Sequence, residues 1–179
     1  MVTINRKMMI LESLVSALSE ENVPKITTKI LAQRSDVTEA ALYKHFSGKN
    51  EIFLELFNFI DQSITDKLWE IRNKQVVNYE KVKNIFYFMI IFVEKNPGFA
   101  RILTRESLTA DEVELINKVE ILFSNIEKEF ISLSIEPVKA RFLVTQIQGM
   151  YCEFIRSKFK NNMSQLLDYN YKLIENALR

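Results

Sequence analysis

The sequence is short of the residues that break helices and of those that carry most enzyme chemistry. It has three glycines, three prolines, one cysteine, one histidine and one tryptophan in 179 residues. So few glycines and prolines leave little material for hairpin turns, which excludes an all-β fold and points to long helices. They also leave no glycine motif on which a Rossmann or P-loop phosphate site could be built. A single cysteine, Cys152, allows no intrachain disulfide and is compatible with a reducing compartment. Within a helix it is expected to be a small core hydrophobe. The only histidine is His45, so no His-based dyad or triad can form elsewhere, and no Cys/His cluster has metal-ligand spacing. Paired acids such as Asp111-Glu112 and Glu127/Glu129 read as helix-surface charge. The expectation is no enzyme, no metal and no cofactor.

Long apolar runs are missing too. The longest, Ile85 to Val93, is about half of the ~20 residues that span a bilayer. The stretch from Met1 to Met9 is followed by no apolar signal region and no small-residue cleavage site. A cytoplasmic protein with no membrane partner is expected. Finally, there is no excess of one charge: 24 Lys and Arg stand against 23 Asp and Glu, a net of +1. Any surface for nucleic acid must therefore be local.

What is present is helical periodicity. Apolar positions between Ile4 and Leu18 (Met8, Leu11, Val15, Leu18) recur at steps of three and four, ending at Glu20 to Pro24. Thr27 stands where an N-cap belongs, before a short helix from Thr28 to Arg34. After Ser35-Asp36-Val37, Thr38 is a second N-cap for a helix from Glu39 to His45. Phe46-Ser47-Gly48 interrupts the pattern, and a long helix runs from Lys49 to about Arg72. Two short helices joined by a tight turn make a helix-turn-helix. Further helices are expected from Glu80 to Lys95, Phe99 to Leu108, after Asp111, from Pro137 and from Ser164 to Leu178. Asn96 is placed to cap the helix that Pro97 opens. Apolar stripes include Val113, Ile116, Leu122 and Phe130, then Phe142, Ile147, Tyr151 and Phe154, then Leu166, Leu173, Ile174 and Ala177. The fold class is thus all-α, about nine helices, with an N-terminal helix-turn-helix unit (1–48) and a C-terminal helical unit for dimerisation and partner binding (49–179).

The segment from Lys25 to Lys49 holds five basic residues (Lys25, Lys29, Arg34, Lys44, Lys49) and two acids (Asp36, Glu39). The second helix of such a motif enters the major groove and its flanks hold phosphates. Thr38, Glu39 and Ala40 would face base edges, and Tyr43, Lys44 and His45 the backbone. The helix start after Gly48, with Lys49, would hold a phosphate. None of the groove-facing side chains offers an Arg–guanine or Asn–adenine pair, so modest base readout is expected.

The run Ile26-Thr27-Thr28, Leu31-Ala32, Val37 to Phe46, Lys49 and Ile52-Phe53 resembles the DNA-binding motif of TetR-family regulators. Phe59-Ile60, Asn96-Pro97-Gly98, Arg101 to Thr104, Ile126-Glu127 and Arg156-Ser157 resemble the branch of that family that acts in nucleoid occlusion, over nearly the full length. The resemblance implies a homodimer on palindromic double-stranded DNA that antagonises polymerisation of the division protein FtsZ over the nucleoid. It places DNA contacts at Thr27, Thr28, Thr38, Glu39, Ala40, Tyr43, Lys44, His45 and Lys49. It places the FtsZ-facing surface at Phe59, Lys67, Lys95 and Asn96. Lys67 and Lys95 stand where the branch has Arg, which keeps charge but loses the planar fork.

Two further readings are open to test. Phe86, Phe88, Met89, Phe92, Phe99, Phe123 and Trp69 are core at helical spacing or else the lining of an inducer cavity, as in a repressor released by a small molecule. Gly149 suggests close helix approach in a four-helix dimer interface built from Pro137–Lys160 and Ser164–Leu178 of both subunits.

Overall fold

The computed structural model describes residues 6–23, 25–109 and 112–178, the side chains of 166 and 176–178 excepted. Ile4, Pro24 and Asp111, and the side chains of Leu166, Ala177 and Leu178, lie outside the described residues. Among the described residues there are nine α-helices, one 3-10 turn and no strand.

The N-terminal third is organised by its caps. Helix α1 (Arg6–Leu18) is followed by α2 (Thr28–Arg34), whose N-cap Thr27 accepts a hydrogen bond from the Ile30 N–H at 3.2 Å. Between α2 and α3 (Glu39–Tyr43) the chain reverses through Asp36 at φ 52°, with the Val37 N–H donating back to the Ala32 carbonyl at 3.0 Å. This is a Schellman-type ending, with aspartate in the left-handed position that glycine usually takes. Thr38 then caps α3, accepting from the Ala41 N–H at 3.1 Å. Helix α3 stops at Tyr43, two residues before the expected His45, because Phe46 turns into the core (2% exposed) with Leu31, Ala32 and Leu42. Helix α4 (Lys49–Arg72) follows as expected.

The remaining helices are α5 (Asn78–Lys95), α6 (Pro97–Leu103), α7 (Val113–Ser132), α8 (Pro137–Arg156) and α9 (Leu167–Leu178), the last preceded by a 3-10 turn at Ser164–Leu166. Asn96 does not cap α6. Its side-chain amide donates to the Phe92 carbonyl at 2.8 Å, so it closes the C-terminal end of α5 instead. One buried cluster runs from Ile10 in α1 to Ile174 in α9. Each large side chain buried there contributes about 1.5–3 kcal/mol relative to exposure. Where α5 meets α8, the buried Tyr151 hydroxyl donates to the Met89 carbonyl at 2.8 Å.

Several residues expected to be covered are open in the single chain, each on the outer side of a helix. Cys152 is exposed rather than in the core. Trp69 is 69% exposed and so lines no interior cavity, whereas Phe86, Met89, Phe99 and Phe123 are buried and Phe88 and Phe92 half-buried. Val113, Phe142 and Leu173, drawn into apolar stripes by spacing, are exposed. A Cβ on Gly149 would meet nothing within 4 Å among the described residues, so none of their helices packs closely there.

Two contacts bear on how the helix-turn-helix unit and the start of α4 are held against the C-terminal helices. At the first, α6 lies so close to α1 that a Cβ on Gly98 would stand 2.7 Å from the Val15 carbonyl oxygen. The Gly98 N–H donates to the Ser19 hydroxyl at 3.0 Å, and the buried Arg101 guanidinium donates to the Leu18 and Glu20 carbonyls at 2.9 and 3.2 Å. At the second, Lys49 at the start of α4 pairs with Glu112 just before α7, Nζ to Oε1 3.1 Å.

Candidate nucleic-acid interface and partner surface

The caps of α2 and α3 place two threonine hydroxyls at adjoining helix starts, where backbone N–H groups and the helix dipole favour an anion. Thr38, Glu39, Ala40, Tyr43, Lys44 and His45 are all exposed, and Thr27 and Thr28 half-buried. The Tyr43 ring is 52% exposed and its hydroxyl lies 3.2 Å from Thr28 Oγ1. That bond links α2 to α3 across one surface and orients both side chains. Leu42 and Phe46, buried beneath, hold α3 against α2, so the exposed face is carried on a packed base. Lys25 and Lys29 extend the same segment as exposed cations.

Lys49 differs from the rest. Its ammonium is turned to Glu112 and lies 5.4 Å from the centre of the Phe53 ring. Nearby, the Ser47 N–H at the start of α4 donates to the Glu51 carboxylate, and that bond holds the Glu51 pKa below its ordinary value. The expected phosphate position at this helix start therefore already has carboxylates on its donors.

On the C-terminal side, Phe59 is 52% exposed while its neighbours Phe57 and Ile60 are buried. Its ring meets Phe99 edge-on at 6.4 Å, and Phe99 meets Phe92 at 5.5 Å. Phe59 and Asn96 line one open apolar cleft of about 400 Å³ with Met8, Leu11 and Val15 of α1. The structure thus brings together two of the four residues expected on the partner surface. Lys67 lies two turns further along α4, in an ion pair with Glu70 at 2.6 Å, and Lys95 is exposed at the end of α5. Neither lines the cleft. Spacing alone did not reveal the α1 wall of this cleft or the carboxylate behind Lys49. Glu112 looked like an ordinary acid at a helix start, and nothing local marks it as buried.

On α8 and α9 a second apolar surface is open: Val138 is 81% exposed, Phe142 38%, Tyr169 65% and Leu173 55%. Among the described residues no group of three or more His, Cys, Asp or Glu could hold a metal ion. Among the described residues, no helix is long and apolar enough to cross a membrane.

A capped helix-turn-helix on an all-helical C-terminal unit defines the class, a DNA-binding regulator of the TetR type. Residues 10–56 match the family of bacterial regulatory proteins named tetR, and residues 74–179 match the SlmA-like family described as tetracyclin repressor-like, C-terminal domain. The chain belongs to the TetR family and carries its SlmA-like C-terminal domain. It is 30% identical to the nucleoid occlusion factor SlmA of Shewanella frigidimarina over 188 residues, covering 98% of this chain and 95% of that protein. It is 32% identical to the SlmA of Aliivibrio fischeri over 170 residues, 87% of each chain. Among solved structures it resembles the fatty acid degradation regulator FadR of Bacillus halodurans, with a TM-score of 0.82 at 14% identity over 100% of this chain and 99% of that one. FadR of Bacillus subtilis, solved with stearoyl-CoA, gives 0.77 at 14% identity over 93% and 96%. At such identities the likeness is one of fold.

Proposed function

We propose that this protein is a nucleoid occlusion factor: a homodimer that binds palindromic sites in chromosomal DNA and, when DNA-bound, antagonises FtsZ polymerisation. The observation that carries the reading is near full-length similarity to proteins named SlmA, together with an open apolar cleft holding Phe59 and Asn96. In this reading residues 1–48 bind DNA through Thr27, Thr28, Thr38, Glu39, Ala40, Tyr43, Lys44 and His45, with Lys49 beside them at the start of α4. Residues 49–179 dimerise and hold FtsZ at Phe59, Asn96, Lys67 and Lys95. The exposed Val138, Phe142, Tyr169 and Leu173, with open space at Gly149, support α8 and α9 as the dimer surface, since a large stable interface is apolar at its centre. The protein would act in the cytoplasm, on the nucleoid.

The test is FtsZ assembly followed by light scattering, with the protein present and its selected DNA duplex added or withheld. DNA-dependent suppression is expected, and Lys67→Glu with Lys95→Glu should abolish it while DNA binding persists. Tight DNA binding without any effect on FtsZ would instead favour a repressor released by a small molecule. That second reading draws on the fold it shares with a regulator solved with stearoyl-CoA. Against it, Phe86, Met89, Phe123 and Tyr151 are packed in the interior.

A further inference from the structure

Among the residues expected to touch DNA, Lys49 is the one whose charge is met by a buried carboxylate. Glu112 has only 2% of its side chain exposed, and its Oε1 lies 3.1 Å from Lys49 Nζ. Its Oε2 accepts from the Thr109 N–H at 2.7 Å and the Thr109 hydroxyl at 3.1 Å, so the carboxylate has donors of its own besides the lysine. Lys49 is anchored by its backbone at the first position of α4, yet its side chain is 30% exposed and has four carbons of reach. The half-exposed ammonium can therefore face either the carboxylate or solvent, whereas the carboxylate is buried. Seen from outside, the pair is neutral.

We propose that Glu112 is a positioning residue for the DNA contact, an intramolecular stand-in for phosphate that holds and neutralises Lys49. This rests on the reading of Lys49 as a phosphate contact. A phosphate that recruits Lys49 must leave Glu112 buried without its cation, and an uncompensated buried charge is unfavourable. Lys49 therefore contributes less to DNA affinity in the native chain than an unpaired lysine at the same position would. The same competition ties occupancy of the DNA face to the contact between α4 and the start of α7.

The experiment is a salt titration of binding to a mixed-sequence duplex, which reports phosphate contacts without a known operator. Glu112→Gln keeps an acceptor for Thr109 and releases Lys49. It should bind about fivefold more tightly at low salt, with a slope of log K against log salt steeper by about 0.9, the value of one added phosphate contact. Lys49→Gln should cost clearly less than one full phosphate contact in the native chain and reverse the whole gain in Glu112→Gln, as expected for two coupled groups. Weaker binding or an unchanged slope in a Glu112→Gln variant of native melting temperature would overturn the proposal. So would a full one-contact loss from Lys49→Gln alone, a result independent of how Glu112→Gln folds. If the native chain binds no duplex at all, the DNA reading fails and takes this inference with it. Binding with the slope unaltered by Glu112→Gln sinks only the inference.

Discussion

Two contacts near the DNA-binding helices, one between α1 and α6 and one at the start of α4, are built in opposite ways. The α1–α6 junction is backbone against backbone, with Gly98 under Val15 and Arg101 donating to carbonyls at the end of α1. Arg101 is 5% exposed, stacks over Phe159 at 5.0 Å and pairs with Glu106 at 2.6 Å. At the start of α4 the contact toward α7 is a lysine–glutamate pair, Lys49 with Glu112, and Arg72 at the far end of α4 pairs with Glu129 of α7. A junction made of buried backbone groups has no alternative partner, because any displaced carbonyl loses its donor without gaining water. A junction made of a flexible side chain can exchange partners. The first therefore fixes where the DNA-binding helices stand, and the second leaves room for DNA to compete. The Asn96-Pro97-Gly98 to Thr104 block, which set the SlmA-like branch apart in the sequence, is the stretch that forms the rigid junction.

The contrast can be broken at its strong side. Arg101→Met keeps length and apolar contact with Phe159 but removes every donor to the Leu18 and Glu20 carbonyls. A loss of about 3 kcal/mol in unfolding free energy is expected by urea denaturation. A loss below about 1 kcal/mol would mean that water replaces the guanidinium and that the junction is not rigid.

Gly98→Ala should follow at about 2 kcal/mol, because a Cβ 2.7 Å from the Val15 oxygen forces the two helices apart. Its sharper signature is on DNA binding, which should weaken as α1 is pushed off position. Unaltered DNA affinity in a destabilised Gly98→Ala chain would separate the junction from the placement of the helices.

Thr27→Ala probes the DNA face itself and should be the mildest for folding. Removing the cap bond to the Ile30 N–H is expected to lower stability by about 1 kcal/mol while DNA binding is lost and the dimer persists by sedimentation. Normal binding would take Thr27 out of the interface. A 21 kDa species at micromolar concentration in the native chain would remove the dimer altogether.

Much of the helix-turn-helix was legible because its determinants are local. Thr27 and Thr38 cap helices that begin within three residues of them, and a side chain that close needs no tertiary partner. The ends of α4 were read correctly for the same reason, its pattern running uninterrupted from Lys49 to Arg72. Local rules failed where a residue had two local options. Asn96 stands both after α5 and before α6, and the amide chose the Phe92 carbonyl. Cys152 and Phe142 sit on helix α8, but which side of that helix is covered depends on where α5, α6 and α7 pack.

By itself the sequence determined that the chain is helical, where its caps fall, and which short segment has the residues of a DNA-reading motif. These follow from spacing over a few residues and from the scarcity of glycine and proline. Only the tertiary structure decided that Phe59 faces a cleft whose other wall is α1, that Gly98 and Arg101 lock α6 to the end of that helix, and that a buried glutamate waits behind Lys49. Each of these joins residues far apart in the chain, and periodicity says which side of a helix will be covered without saying by what.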